Sequence, residues 1–201
     1  MHRHFKLYKP YGYLSQFITN QKQAKKKKML GELHDFPEET MSIGRLDEDS
    51  EGLLLLTTNG KMSYTILSRH VEKEYYVQVD GIITEEAIQE LQNGVEIGLQ
   101  GKKYKTLPGK AKKIETPLLP ERSKKIRDER HGPTSWASIT ITEGKFRQVK
   151  KMTAAVGFPT LRLVRYRIGE LTIENLKAGE VKEITNVLDN HFPEAVEGIT
   201  K

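Results

Sequence analysis

No cysteine occurs among the 201 residues, which excludes disulfide frameworks, thiolate-held zinc or iron–sulfur centres, and any cysteine nucleophile. Enzymes that attack a pyrimidine ring through a thiolate are removed with it, as are zinc deaminases, whose metal needs a P-C-x-x-C pair. No apolar run approaches the ~18 residues of a membrane span, and the opening MHRHFKLYKPYGYLSQF has no signal-peptide core ending in small residues. A cytoplasmic protein without membrane attachment is expected. Acidic residues are missing from two long stretches: residues 1–31 carry eight Lys or Arg and no acid, and residues 144–167 carry seven and none. Residues 102–131 add eleven basic against four acidic side chains, whereas 32–101 hold fifteen acids and four bases. The net charge of +6 thus conceals a segregation of sign along the chain. Basic stretches that converge in a fold make a surface for a polyanion, of which nucleic acid is the commonest. Taken alone, Lys25 to Lys28 reads equally well as a solvated face.

Hydrophobic residues at 36% and charged residues at 30% are enough for a foldable core, and the length allows one large domain or two small units sharing one. The chain alternates strand-like and helix-like segments without an internal repeat. His4 to Tyr8 alternates and is expected to be a strand ended by Lys9-Pro10, because proline cannot donate to a ladder. Asn20 to Lys28 is polar and lysine-rich, a loop or arm. Leu53 to Thr57 has the length of a buried strand, and Asn59-Gly60 precedes a helix over Lys61 to Ser68. Tyr75 to Val79, Trp136 to Thr142 and Leu161 to Ile168 are expected strands. Thr84 is placed to cap a helix reaching Asn93, with Glu85 and Glu86 complementing its dipole and Gly94 stopping it. A second helix is expected over Phe146 to Val156. Residues 102–134 lack periodicity, hold four prolines and are strongly basic, which predicts a long functional loop. The pattern is that of an α+β fold with a mixed, largely antiparallel sheet flanked by helices and loops.

The densest polar run, Gly44-Arg45-Leu46-Asp47-Glu48-Asp49-Ser50-Glu51-Gly52, stands immediately before four leucines. A loop that feeds a core strand can hold a carboxylate rigidly at a surface, so Asp47, Asp49 and Glu51 are all candidates for chemistry. The pattern D-x-D-x-E-G resembles the first half of a calcium loop, but the twelfth position from Asp47 is Thr58, not a glutamate. No metal site is expected there. An acidic turn that only faces solvent is the plain alternative.

Lys9-Pro10-Tyr11-Gly12-Tyr13, Gly44-Arg45-Leu46-Asp47, Lys73-Glu74-Tyr75-Tyr76-Val77 and the run EGKFRQVKKM from Glu143 to Met152 are four separated motifs. Gly157-Phe158-Pro159-Thr160-Leu161-Arg162-Leu163-Val164-Arg165, then Gly169 and Leu171, extend the series. In order and approximate spacing, over roughly residues 4–185, the chain resembles the RsuA-type ribosomal RNA pseudouridine synthases. The run IRDERHGPTSW from Ile126 to Trp136 is similar to members that act on large-subunit ribosomal RNA.

The resemblance implies a single catalytic domain over residues 1–201, with two subdomains around a central cleft. It leaves no room for the amino-terminal RNA-binding module of the ribosomal-protein S4 type that most relatives carry. RNA selection then falls to the catalytic domain and to basic loops at 20–28 and 102–134. By motif, Asp47 corresponds to the family's catalytic aspartate. Conversion of uridine to pseudouridine breaks N1–C1′, turns the uracil and joins C5 to the same C1′ without net redox change. A carboxylate can serve as nucleophile at C1′ or as base at the 2′ carbon, and the sequence leaves both open. The resemblance implies that Arg147 pairs with Asp47, which favours the ionised carboxylate. It also implies that Tyr75 stacks on the flipped uracil and helps remove the C5 proton, while Tyr76, on the opposite face of the strand, packs. Leu171 resembles an apolar pocket residue, although a core leucine would look the same. Extruding a base costs a few kcal/mol, and contacts to flanking phosphates from Arg45, Lys73, Lys150, Lys151, Arg162, Arg165 and Arg167 can offset it. A monomer needing neither metal nor organic cofactor is expected. Two other readings stay open: the same enzyme acting on small-subunit ribosomal RNA or transfer RNA, and a non-catalytic assembly factor that binds ribosomal RNA.

Overall fold

The computed structural model describes residues 2–18, 26–68 and 71–196, and the chain divides into two compact units, Met1–Val71 with Ile173–Lys201, and Glu72–Thr172. In the first unit β1 (His4–Lys9) leads to β2 (Tyr13–Leu14), which runs parallel to β3 (Lys28–Met29), and then to β4 (Met41–Ile43), β5 (Glu51–Thr57) and α1 (Gly60–Ser68). The leucine run makes β5 the centre of the unit. It pairs antiparallel with β1 from His4↔Thr57 to Lys9↔Gly52, and on its other edge with β4. A strand covered on both faces reads as a continuous apolar run rather than an alternation, and every residue of β5 is buried. Leu54 and Leu56 join Phe5, Leu7 and Leu30 in a core lined further by Phe17, Leu33, Phe36 and Val181. Asn59 starts α1 as a cap, its side-chain oxygen accepting from the amides of Lys61 at 2.9 Å and Met62 at 3.3 Å.

The second unit contains β6 (Lys73–Asp80), α2 (Glu85–Asn93), β7 (Glu96–Leu99), β8 (Lys102–Lys105), β9 (Lys110–Ile114), β10 (Thr134–Ile141), α3 (Gln148–Ala155), β11 (Thr160–Ile168) and β12 (Leu171–Thr172). Its sheet runs β12-β11-β6-β10-β9 with every neighbouring pair antiparallel. The expected capping of α2 is present, the Thr84 hydroxyl accepting from the Ala87 amide at 3.2 Å. Gly94 ends the helix at φ +80°, and a Cβ there would lie 2.2 Å from the Thr106 carbonyl oxygen, so only glycine fits. The chain then returns to the first unit, where β13 (Val181–Glu183) pairs antiparallel with β1 and is followed by α4 (Thr185–His191) and α5 (Pro193–Val196).

The α+β class with largely antiparallel pairing is as expected, but the loop over 102–134 is corrected in its first half. Residues 102–105 form one arm of the β7–β8 hairpin, and residues 110–114 form an edge strand on β10. Neither strand alternates apolar with polar residues because both are exposed: Ala111 is the only fully buried residue of β9, and none of β8 is buried. Lysine-rich edges also discourage pairing with a second sheet, which is a reason for such a strand to look like a loop. From Glu115 to Pro133 the chain holds only a short 3-10 turn over Glu129–His131. Of the other basic stretch, residues 20–25 lie outside the described residues, and Lys28 belongs to β3. The expected helix from Phe146 begins two residues later, because Arg147 adopts a left-handed conformation (φ 52°, ψ 33°) that interrupts it. No described helix is long and apolar enough to cross a membrane.

Candidate active site

Asp47 sits in the first unit, on the loop between β4 and β5, half-buried beside the exposed Arg45. Three sets of hydrogen bonds hold that loop. The Ser15 hydroxyl donates to the Leu46 carbonyl at 2.7 Å and accepts from the Leu46 amide at 2.9 Å, clamping both backbone groups of the residue before Asp47. The Ser50 amide donates to the Asp47 carbonyl at 3.0 Å, and the Gly12 amide to the Glu48 carbonyl at 2.8 Å. Beneath them lies the fully buried Lys9. Its ammonium donates to the carbonyls of Pro10 at 2.9 Å and Tyr13 at 2.7 Å, with that of Glu48 at 3.4 Å. Burial lowers the Lys9 pKa to about 7, and the neighbouring carboxylates of Glu51, Asp49, Asp47 and Glu48 limit the fall. The motif Lys9 to Tyr13 is thus the floor of the loop that carries Asp47.

In the second unit, Tyr75 on β6 faces Arg165 on β11 and Ile139 on β10 in register. Directly opposed residues of antiparallel strands share a face, as do residues two apart, so Lys73, Tyr75 and Arg165 point the same way. Tyr75 and Arg165 are buried and Lys73 half-buried. The Lys73 ammonium donates to the Thr142 carbonyl at 3.1 Å. Its pKa falls to about 8, first from burial and then from the Arg165 charge. On the opposite face Tyr76 stacks on Tyr166, rings 4.3 Å apart and 13° from parallel, which is the packing role expected of it.

Arg147 stands exposed in the turn before α3. The turn is fixed from inside by the buried Glu143, which accepts from the Tyr104 hydroxyl, from the Leu107 amide at 2.9 Å and from the Gln148 side-chain amide at 2.6 Å. Gln148 in turn accepts from the Lys145 amide at 2.9 Å. Neither Ser15 nor Tyr104 is signalled by the sequence: a serine five places after Pro10 carries no pattern, and Tyr104 is embedded among lysines. A Tyr104→Phe protein is expected to lose about 1–3 kcal/mol, the usual result of leaving a buried acceptor short of a donor, and a urea titration would measure it.

The remaining basic candidates differ in availability. Lys150 is half-buried, and Lys151 donates to the Gly98 carbonyl at 2.7 Å. Arg162 is buried and donates to the Pro120 carbonyl at 2.7 Å. Arg167 is held by Glu74 at 2.9 Å and Glu72 at 3.3 Å, so two carboxylates already compensate its charge. Leu171 is half-buried where β12 turns back on Ile168. The IRDERHGPTSW segment is tied to the end of β6: Arg127 forks onto Asp80, and the Gly81 amide donates to the Pro133 carbonyl at 2.9 Å. Among the described residues, no group of three or more His, Asp or Glu side chains converges as metal ligands would.

Asp47 thus stands on a braced loop of the first unit, and Tyr75 and Arg147 on a strand and in a turn of the second. Residues 3–155 match the profile of the RNA pseudouridylate synthase family, and the chain belongs to that family, isomerising uridine in RNA to pseudouridine. It is 42% identical over 181 residues to a Vibrio vulnificus protein named ribosomal large subunit pseudouridine synthase E, covering 88% of this chain and 73% of that one. To the Xanthomonas campestris protein of the same name it is 40% identical over 177 residues, covering 87% and 91%. A crystal structure of a pseudouridylate synthase superposes with a TM-score of 0.72 at 30% identity, over 93% of this chain and 72% of the other.

Proposed function

We propose that this enzyme converts a uridine of large-subunit ribosomal RNA to pseudouridine, as a cytoplasmic monomer without metal or organic cofactor. The observation that carries the substrate is the identity of 40–42% over most of the chain to two proteins named for that RNA. Asp47 is the carboxylate of the reaction, as nucleophile at C1′ or base at the 2′ carbon. The N1–C1′ bond breaks, C5 bonds to C1′ as the aspartyl–C1′ bond is released or the 2′ proton is returned, and the proton lost from C5 is balanced by one gained at N1. Arg147 partners the carboxylate and Tyr75 holds the freed uracil. Negative charge develops on the uracil as the glycosidic bond breaks, and the cationic side chains of Lys73 and Arg165 beside Tyr75 would stabilise it.

The reaction is tested by incubating the protein with unmodified large-subunit ribosomal RNA and mapping pseudouridine by carbodiimide-dependent reverse-transcription stops. One new stop is expected, with none on small-subunit ribosomal RNA or transfer RNA. Stops confined to either of those RNAs would overturn the substrate, and stops on none would overturn the reading.

Phosphate contacts are assigned to Arg45, exposed on its loop, and to Lys150 on α3, in the acid-free stretch 144–167. Replacing Arg45 or Lys150 by Ala is expected to reduce the slope of log affinity against log salt by about 0.7–0.9 each, because each phosphate no longer neutralised keeps its counterion. Filter binding between low and moderate salt reads this directly. An unchanged slope removes the residue from the interface.

A further inference from the structure

Of the six phenylalanines, Phe5 is buried, Phe17, Phe36, Phe158 and Phe192 are half-buried, and Phe146 is 72% exposed. Nothing in the core needs its ring, and exposing it has a hydrophobic cost. It sits between Lys145 and Arg147 in the turn before α3, and the Lys151 ammonium lies 5.3 Å from its ring centroid. The surrounding residues 144–167 carry seven basic side chains and no acid. The turn beneath is braced by Glu143, Gln148 and Tyr104, as described above, so the ring is presented from a fixed base. An apolar protein partner would have to strip water from Lys145, Arg147 and Lys151 to reach the ring, at a desolvation cost it could not repay. A nucleobase brings a flat π face together with phosphates that such cations prefer, and base–aromatic stacking tolerates any sequence.

We propose that Phe146 is a stacking platform for an unpaired nucleobase near the target uridine. The inference rests on the RNA-modifying role proposed above and adds a contact to it. Stacking releases no counterions, so it contributes affinity without contributing to the salt dependence. It also requires a planar ring, which separates it from simple apolar contact.

The test uses the full chain and three variants, Phe146→Ala, Phe146→Leu and Phe146→Trp. On large-subunit ribosomal RNA transcript, Phe146→Ala and Phe146→Leu are expected to bind about tenfold more weakly, the usual result of removing one stacked aromatic. Their salt slope and melting temperature should match the wild type, and Phe146→Trp should bind as the wild type does. The native Trp136 is buried out of an oligomer's reach, so with the wild type titrated as the blank the tryptophan of Phe146→Trp reports its own surroundings. Oligoadenylate should quench it, and an abasic oligomer of the same length and charge should not. Equal quenching by both oligomers, or a leucine variant as tight as wild type, would overturn the stacking role. Pseudouridine formation by the wild type is scored separately, so failure of the proposed function and failure of this contact give different results.

Discussion

An Asp47→Asn protein is expected to form pseudouridine at least about 10⁴-fold more slowly than wild type, the scale on which loss of a group that acts covalently or as the essential base is felt. Asparagine keeps the size and shape of the side chain but can neither attack C1′ as an anion nor accept a proton at neutral pH. The loop should survive the change, because its bracing runs through the backbone of Leu46, Asp47 and Glu48 and through Ser15, Ser50 and Gly12. RNA affinity should be equal to or tighter than that of the wild type, since one negative charge is removed opposite a polyanion. Loss of carbodiimide stops with undiminished filter binding would therefore place Asp47 in the chemical step. Retained activity would refute that assignment, and lost binding would place the residue in RNA docking instead.

Much of this arrangement is legible in the sequence where local chemistry and burial agree. Lys9-Pro10 ends β1, the leucine run is the buried centre of its unit, and Thr84 and Gly94 bound α2 as caps should. Illegible features share a different cause. The strands β8 and β9 carry lysines because they are exposed, so no apolar period betrays them. The start of α3 depends on a left-handed Arg147, which no helix propensity encodes. The buried Glu143 is identifiable only once Tyr104 and Leu107, distant in the chain, are seen to donate to it beside the nearby Gln148. Lys9 is the sharpest case: lysine is almost never fully buried, and nothing local tells that its charge is turned inward to three carbonyls.

Replacing Lys9 by Met should therefore lower kcat by roughly 10²-fold, the scale of an ångström-level misplacement of a catalytic group, with little change in RNA affinity. Methionine fills similar space but offers no proton to the carbonyls of Pro10, Tyr13 and Glu48. The loop that carries Asp47 then loses its floor, and Arg45 rides on the same loop, but the basic residues of the second unit are untouched, so affinity falls by no more than one phosphate contact supplies. A fall in affinity with kcat preserved would contradict this positioning role. The pH dependence of stability supplies a second readout. In the folded chain Lys9 has a pKa of about 7, below its ordinary value of 10.5, so between those values the unfolded state binds more protons. Stability from this residue accordingly rises as pH increases from about 7 towards 10.5. Lys73, lowered to about 8, adds the same sign of slope over a narrower window, and it is common to wild type and variant. The difference between their urea midpoints across pH 6–10 isolates Lys9: the variant curve should be flatter, with the divergence beginning near pH 7. Parallel curves would mean that the ammonium is not buried in solution. The floor of the Asp47 loop would then have to be sought in Ser15 alone.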